Sequence, residues 1–532
     1  MSKDVKSYQV IVIGGGHAGV EAACAAARSG AQTLLITKKP DNLGEMSCNP
    51  AIGGVAKGTI VREIDALDGI MGKAIDMAGI HFRILNSSKG PAVHSPRAQA
   101  DRSLYKKAIN HLLKDYPNLE ILFDSVEDLK IEQNQITGVT LPNNQIINGK
   151  SVILTTGTFL GGVIHMGHEA KEAGRFGEEP CNKLSKTLKD IGFKLDRLKT
   201  GTPPRIDINT INFDILEKQP GDEIPTPFSY LNKKINTKQV NCYITYTNQE
   251  THKIIEDNLS ASAMYGGSIS GKGPRYCPSI EDKIYRFKDK ERHQIFLEPE
   301  GLNSNLVYPN GISNSLPIKI QEQFVKSIKG LENCKIIQPG YAIEYDFVDP
   351  RELLPTLETK KIRNLFFAGQ INGTTGYEEA GGQGLVAGTN AAIKSSGQDK
   401  EFTLSRSESY IGVMIDDLTT VGTSEPYRML TSRAEFRLNL RSDNADLRLT
   451  QKGVEYNLIS SERLEIFKNR KAKIDETITK LKDLKISPTK AQKHNLNIRQ
   501  DGVVRNACEL LAFKDISFDS CVKPNKPPSS CI

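Results

Sequence analysis

A glycine-rich loop near the amino terminus has the residue types needed to hold a phosphate group. Its sequence is Gly14-Gly-Gly-His-Ala-Gly19, which fits the spacing GxGxxG. In this pattern the first glycine permits a tight turn, the second lets the backbone approach a pyrophosphate, and the third lets a helix pack closely on a strand. A helix starting here would add free N–H groups and partial positive charge. The loop therefore predicts a dinucleotide site, against the plainer alternative of a glycine-rich turn without a ligand.

Two cysteines lie in loops that could bring a thiol next to a ligand. Cys48 comes shortly before Pro50 and two glycines, which would let the backbone approach a ring system, and Cys277 lies beside Arg275 and Pro278. A thiolate can act as a nucleophile, an adjacent arginine favours it, and a thiol can relay protons. For any single cysteine, however, the role of a small buried apolar residue is favoured by roughly three to one.

The elements around the glycine loop predict a βαβ unit. Residues 8–13 are an apolar run, residues 20–28 are alanine-rich and helical, and residues 32–37 are apolar again. The second strand is followed by Lys38 and Lys39 instead of the acidic residue that usually binds the ribose. The ribose contact therefore stays unassigned.

A second strand–loop–helix pattern far along the chain favours FAD over NAD. The string Asn364-Leu-Phe-Phe-Ala-Gly-Gln370 resembles the second flavin motif of flavoproteins with two dinucleotide-binding domains, with Gln370 where an acid is common. The glycine-rich residues 376–384 then open another helix. A dehydrogenase with a single Rossmann unit has no need of this second half.

The pattern along the chain predicts an α/β fold with four parts. Residues 1–200 and 336–398 form a two-part Rossmann-like FAD-binding domain. Residues 201–335 are β-rich between proline- and glycine-containing loops and form an inserted α+β domain. Residues 399–532 are mainly helical, most clearly at 461–484.

Composition indicates a soluble, cytoplasmic globular protein. The 532 residues are 38% hydrophobic and 25% charged, no apolar run is long enough for a membrane span, and the amino terminus lacks a signal core. The nine cysteines contain no CxxC pair, so reduced thiols are expected. Most of the net charge of +7 lies in the last quarter of the chain, which suits a polyanionic partner or a solvated helical surface.

Three further strings carry a specific resemblance. They are Met46-Ser-Cys-Asn-Pro-Ala-Ile-Gly-Gly54, Lys199-Thr-Gly-Thr-Pro-Pro-Arg205 and Gly273-Pro-Arg-Tyr-Cys-Pro-Ser-Ile-Glu-Asp-Lys283. Together with the flavin strings, over about residues 8 to 520, they closely resemble the tRNA uridine carboxymethylaminomethyl-modifying flavoproteins, the MnmG/GidA family. The resemblance implies an FAD-dependent tRNA-modifying enzyme.

The family's functional residues can be carried over onto matching positions. The resemblance puts the functional cysteines at Cys48 and Cys277. It puts FAD contacts at Gly14, Gly15, Gly16, His17, Ala18, Gly19, Val126, Ser185 and Gln370. It puts the NADH region at Gly273, Pro274, Arg275, Tyr276, Cys277, Pro278, Ser279, Ile280, Glu281, Asp282, Lys283, Ile284, Tyr285, Arg286 and Phe287.

The reaction implied by the resemblance modifies the 5-position of the wobble uridine of tRNA. In that family FAD is reduced by NADH, methylene-tetrahydrofolate gives one carbon, and glycine or ammonium gives nitrogen. A GTPase partner of the MnmE type is required, and a homodimer is expected. A thiolate of either cysteine could add to carbon 6 of the uracil ring, and which cysteine attacks stays open.

Three arginines recur every fourth residue at Arg433, Arg437 and Arg441. On a helix they would form one basic edge able to contact phosphates of a nucleic acid. Local pairing with Glu425, Glu435 and Asp443 is an equally good interpretation.

His17, His94 and the other histidines have no metal-ligand spacing, so no metal site is expected.

Three alternatives remain at the level of sequence. Members of the resembled family continue beyond position 532 into a helical region, so a shortened chain is expected, and docking of the GTPase partner and full activity stay open. The nearest rival is the folate- and FAD-dependent tRNA uracil methyltransferase. A small-molecule flavin oxidoreductase would be of a different class. The third alternative is a truncated FAD-binding copy without full activity, which would act as a non-catalytic tRNA-binding scaffold.

Overall fold

A computed structural model describes residues 6–275 and 278–522 of the chain. It contains two compact units, which meet in sequence between residues 459 and 460. Among the described residues, no helix combines the length and the apolar composition needed to cross a membrane.

A seven-stranded, mostly parallel sheet forms the centre of the first unit. Its strands, in spatial order, are Leu119–Phe123, Thr33–Thr37, Ser7–Ile13, Ile146–Leu154, Gln135–Thr140 and Asp128–Glu132, with Leu365–Phe367 also paired to Ile146–Leu154. The strands before Ile146–Leu154 in this order and Leu365–Phe367 pair in parallel, whereas the last two form an antiparallel extension. The central strands are continuous apolar runs because they are buried on both faces, and the helices His17–Arg28 and Tyr377–Ser395 pack against them.

Eleven described α-helices belong to the first unit. They are His17–Arg28, Lys57–Ala66, Met71–Ala78, Arg102–Leu113, Asn182–Asp190, Gln249–Asp257, Ile280–Arg286, Ile318–Lys326, Tyr377–Ser395, Tyr410–Asp416 and Ala445–Glu455. The helices His17–Arg28 and Tyr377–Ser395 pack against each other along much of their lengths. Both are rich in alanine and glycine, so their backbones can approach closely.

The first unit also contains two small antiparallel sheets. One consists of Ala51–Gly53, Ser95–Ala100 and Gly79–Leu85, and the other of Glu169–Glu172, Val163–Met166, Tyr341–Val348 and Leu195–Thr202. Residues 40–101, where the apolar pattern is broken, therefore contain short strands and helices.

The β-rich stretch in the middle of the chain forms a six-stranded antiparallel sheet with its own core. Its strands, in spatial order, are Glu217–Gln219, Cys242–Tyr246, Gln294–Pro299, Leu306–Asn310, Arg205–Asp207 and Ile336–Gln338. Buried residues of this core include Ile255, Ile280, Leu297 and Phe324, which come from both strands and helices. This is the α+β region that the sequence predicts as an insertion.

The second unit is mainly helical. Its elements are Ser461–Asp483, Lys485–Ile486, Pro488–Lys493, Arg505–Asn506, Ala507–Leu510 and Phe518–Val522. A small core of Ala491, Leu496, Ile498 and Leu510 holds it together. The α/β fold class with a helical carboxy-terminal region is thus confirmed, whereas the division into four named domains stays a prediction.

Candidate active site

A cavity of about 460 Å³ opens where the parallel strands of the main sheet end. The residues that directly follow those strands line it, among them Gly14, Lys38, Asp124, Thr155 and Ala368. Ligands of open α/β sheets bind at this edge, because adjacent connections that leave the sheet in opposite directions create a crevice there.

The glycine loop forms one wall of the cavity, and Gly14, Gly16 and Gly19 are each required for a different structural reason. Gly14 has φ of +106°, and a Cβ there would lie 2.6 Å from the carbonyl oxygen of Thr155. A Cβ on Gly19 would lie 1.7 Å from the carbonyl oxygen of Gly14, so this glycine allows the helix to pack on the turn. Gly16, in contrast, has only open space within 4 Å of an added Cβ. Its missing side chain leaves room for a ligand.

Polar atoms at this wall fit the diphosphate and sugar groups of FAD. The helix His17–Arg28 begins at the cavity, its N-cap Gly16 has no side chain to bind the first N–H groups, and those groups have no partner within a helix. Among the described residues, the buried atoms Nε2 of His17 and Oγ1 of Thr156 have no hydrogen-bond partner, and both residues line the cavity. Burial lowers the pKa of His17 to about 4, so its ring is neutral at pH 7. The donors are therefore arranged for a ligand rich in acceptors.

Two acidic residues that line the cavity could not be assigned from the local sequence. Asp124 directly follows the strand Leu119–Phe123, and its N–H donates to the carbonyl of Thr37 at 2.9 Å. Glu178 also lines the cavity and pairs with Lys39 at 3.1 Å and Arg175 at 2.8 Å. The edge near the second strand thus carries carboxylates, although that strand itself is followed by lysines.

Cys48 lines the same cavity and is held there by residues from distant parts of the chain. Its N–H donates to the hydroxyl of Tyr377 at 2.7 Å. Its Sγ lies 3.7 Å from the hydroxyl of Tyr308 and 3.9 Å from the carbonyl oxygen of Gly201. Tyr377 in turn stacks on His17, with ring centroids 4.3 Å apart. The backbone of Cys48 is therefore linked through Tyr377 to His17 of the glycine loop.

Comparison with known proteins assigns the chain to a family. The family model "Glucose inhibited division protein A" matches residues 9–399, and the model "tRNA modifying enzyme MnmG/GidA C-terminal helical domain" matches residues 461–529. The chain belongs to the MnmG/GidA family of tRNA-modifying enzymes.

Individual relatives agree with this assignment. The tRNA uridine 5-carboxymethylaminomethyl modification enzyme MnmG of Granulibacter bethesdensis is 56% identical over 508 residues, which is 95% of this chain and 81% of the relative. A solved structure of GidA from Aquifex aeolicus, in its form II crystal, is 50% identical and superimposes with a TM-score of 0.88, covering 95% of this chain and 81% of that one. The form I crystal gives 53% identity and a TM-score of 0.87, with coverage of 90% and 81%.

Many of the MnmG/GidA residues carried over from the sequence line the cavity. They are Gly14, Gly15, Gly16, His17, Ala18, Cys48, Val126, Pro274, Pro278, Lys283 and Gln370. Ser185 has a different environment, since its buried hydroxyl donates to the carboxylate of Asp346. Tyr276 and Cys277 lie outside the described residues.

The predicted NADH region of this MnmG/GidA chain continues into the helix Ile280–Arg286. Ser279 caps that helix by accepting from the N–H of Asp282 at 3.3 Å. Ile280 and Ile284 are buried in the core of the inserted region, whereas Tyr285 and Phe287 are exposed. Of the described residues of this region, Pro274, Pro278 and Lys283 line the cavity.

A buried ion network that sequence analysis missed supports the cavity wall. The ammonium of Lys57 lies 3.1 Å from Glu378 and 2.9 Å from Glu379, and all three side chains are almost fully buried. Glu378 also accepts from the N–H of Gly53 at 2.7 Å. Burial opposes ionisation of Glu378, but the charge of Lys57 and these hydrogen bonds leave its pKa below the usual value. The network joins the starts of two helices at the ligand site.

The prediction of a helical basic edge at Arg433, Arg437 and Arg441 is wrong. Only Thr431–Arg433 forms a single turn of 3-10 helix, and the following residues are turns. Arg433 stacks on the ring of Tyr427 at 4.2 Å, and Arg441 pairs with Asp443 at 2.8 Å. Arg433 and Arg441 therefore make separate local contacts, and the three side chains do not form one stripe on a helix.

Proposed function

We propose that this chain adds a (carboxymethyl)aminomethyl group to the 5-position of the wobble uridine of tRNA. Membership of the MnmG/GidA family and 56% identity to an enzyme named for this modification support the reaction. The cavity that contains both the glycine loop and Cys48 supports the site. Methylene-tetrahydrofolate is proposed as the one-carbon donor.

The proposed cofactor is FAD, and the observation that carries this proposal is the open space at Gly16. A backbone without a side chain, next to the start of a helix, is what a diphosphate needs. Bound FAD would supply two-electron redox chemistry, with NADH as the reductant. Residues 14–19 would bind its diphosphate, and Val126 and Gln370 would contact other parts of it. The hydroxyl of Ser185 donates to Asp346, so Ser185 would influence FAD binding indirectly, through Asp346.

Cys48 is proposed to act on the uracil ring. Its sulfur lies in the cavity wall, where a thiolate could add to carbon 6 and make the 5-position nucleophilic. Cys277 is proposed as the second thiol, from the start of the NADH region at residues 273–287. One thiol attacks and the other relays a proton.

The proposed partners are tRNA, a GTPase of the MnmE type and a second copy of the chain in a cytoplasmic homodimer. The positive charge of the last quarter of the chain favours tRNA. Arg437, next to the exposed Phe436, is a proposed phosphate contact. Arg433 and Arg441 would contribute only by exchanging their present partners for phosphates.

Nucleoside analysis tests the proposal directly. The purified chain is incubated with FAD, NADH, methylene-tetrahydrofolate, glycine or ammonium, the GTPase and unmodified tRNA, and digested tRNA is analysed by mass spectrometry. We expect a carboxymethylaminomethyl or aminomethyl uridine that is lost in Cys48→Ser and in Cys277→Ser, but not in Cys508→Ser, whose cysteine lies in the second unit. A plain methyl group would support the uracil methyltransferase instead, and bound FAD without product would indicate a copy lacking full activity.

A further inference from the structure

Tyr308 brings a phenol from the inserted region to the thiol of Cys48. It lies on the strand Leu306–Asn310, is only 4% exposed, and its hydroxyl is 3.7 Å from Cys48 Sγ. Either atom can donate in this hydrogen bond. Both residues line the cavity, so the contact lies inside the proposed site.

Arg205 fixes the position of the Tyr308 ring. Its guanidinium lies over the ring, 4.7 Å from the centroid, and is itself held by Glu300 at 2.8 Å and by the hydroxyl of Thr202 at 2.6 Å. The same guanidinium donates to the carbonyl oxygen of Cys48 at 3.5 Å. One buried cation therefore holds both members of the pair, and its charge favours a more strongly donating phenol.

Other groups fix the remaining sides of Cys48. The hydroxyl of Tyr377 accepts from the N–H of Cys48. Burial keeps the pKa of Tyr377 well above the ordinary value, so this phenol stays protonated. The carbonyl of Gly201 accepts from the thiol. Tyr341, from the strand Tyr341–Val348, is close enough to the thiol for an electrostatic interaction.

The charges near this cluster largely neutralise each other. Arg102 pairs with Glu45 at 3.2 Å and with Glu300 at 3.0 Å, and Glu300 is also the partner of Arg205. The carboxylates beside the cysteine loop thus already have cations. Within the described part of the chain, Tyr308 is the residue whose hydroxyl contacts the sulfur directly.

We propose that Tyr308 is a positioning residue that donates its phenolic hydrogen to Cys48 Sγ and so stabilises the thiolate. The thiol proton leaves to solvent, Tyr308 keeps its own proton, and no electron is transferred. When the thiol is protonated, it donates to Gly201 instead. This inference rests on the function proposed above for Cys48.

Alkylation of Cys48 in the FAD-loaded full chain tests the inference. Iodoacetamide labelling of the Cys48 peptide is followed by mass spectrometry from mildly acidic to alkaline pH. In Tyr308→Phe we expect labelling at neutral pH to slow by about threefold to tenfold, which is the range for an ordinary hydrogen bond and suits the long contact of 3.7 Å. The profile moves to higher pH, while the rate at alkaline pH stays that of the wild type. A merely structural role of Tyr308 would not shift the profile in this way.

The control is Tyr243→Phe, on the strand Cys242–Tyr246 of the same sheet, where Tyr243 contacts Phe213. It should label like the wild type, and FAD content should be equal in all three proteins. Unchanged labelling in Tyr308→Phe, or equal slowing in both variants, would overturn the inference. The proposed role of Cys48 fails separately if Cys48→Ser still gives the modified uridine.

Discussion

Glu378 and Glu379 share one buried cation, and this makes Lys57 a sensitive residue. A buried carboxylate is tolerated when it is paired, whereas removing its partner leaves an uncompensated charge, which typically costs about 3–5 kcal/mol. Lys57 also lines the cavity, so the network couples the stability of the fold to the shape of the site.

Lys57→Met is therefore expected to lower the free energy of unfolding by about 3–5 kcal/mol, measured by urea denaturation at pH 7. Lys89→Met is the control, because Lys89 is exposed. A loss no larger than that of Lys89→Met would show that the network is not what stabilises this wall.

The pH dependence of this variant has a definite sign. The pKa of Glu378 lies below its ordinary value of 4.5, so its contribution is present above that value and is lost as the pH falls through the folded-state pKa. Without Lys57, burial dominates and raises the pKa of Glu378, so lowering the pH stabilises the folded variant relative to its unfolded state. The difference between wild type and Lys57→Met should accordingly shrink as the pH is lowered from 7 to below 4.5.

Sequence reasoning could find some of these residues and not others. Gly14 and Cys48 belong to short strings whose spacing carries the signal within a few positions. Lys57 and Glu378 are 321 positions apart, and nothing local indicates that they meet. The same holds for Cys48 and Tyr308, which come together only because the inserted sheet reaches the cavity.

At the scale of elements, the close contact between His17–Arg28 and Tyr377–Ser395 determines where the glycine loop lies. A Cβ on Gly384 would be 2.1 Å from the carbonyl oxygen of Ala18, and one on Gly388 would be 2.2 Å from that of Ala22. Two helix backbones thus touch directly, and the first of them begins at the cavity.

Gly384→Ala should push these helices apart and move the loop. We expect a loss of about 1–3 kcal/mol in stability, as is typical of overpacking, together with weaker FAD binding. Urea denaturation and fluorescence titration with FAD measure the two effects. Gly90→Ala is the control, since a Cβ there meets nothing within 4 Å. Wild-type behaviour of Gly384→Ala would contradict the close contact.

The elements themselves were predictable where the pattern is local. The strand Ser7–Ile13 and the helix that follows differ from their predicted bounds by at most a few residues, since strand apolarity and the glycine turn are encoded there. The prediction of a helical edge around Arg433 failed. Arg433 stacks on Tyr427 and Arg441 pairs with Asp443, and these local contacts do not require a helix. Strand order could not be derived, because it depends on contacts between distant segments.

At the scale of the whole molecule, one cavity collects segments from the entire first unit. Its walls come from residues within 13–57, 124–203 and 274–380, and from Arg428. The second unit has its own small core. Ligand binding therefore depends on the assembled first unit, and a short isolated βαβ fragment would lack most of the walls.

The most direct test of this account is the binding of FAD to the purified chain and to Gly16→Ala. We expect the wild type to bind FAD in equimolar amount. The variant should unfold like the wild type without FAD, since its new Cβ meets no protein atom within 4 Å. Its FAD dissociation constant should rise by about tenfold or more, which corresponds to about 1.4 kcal/mol or more. A chain that binds no FAD, or a variant that binds it as tightly as the wild type, would contradict the claim that this loop holds a flavin.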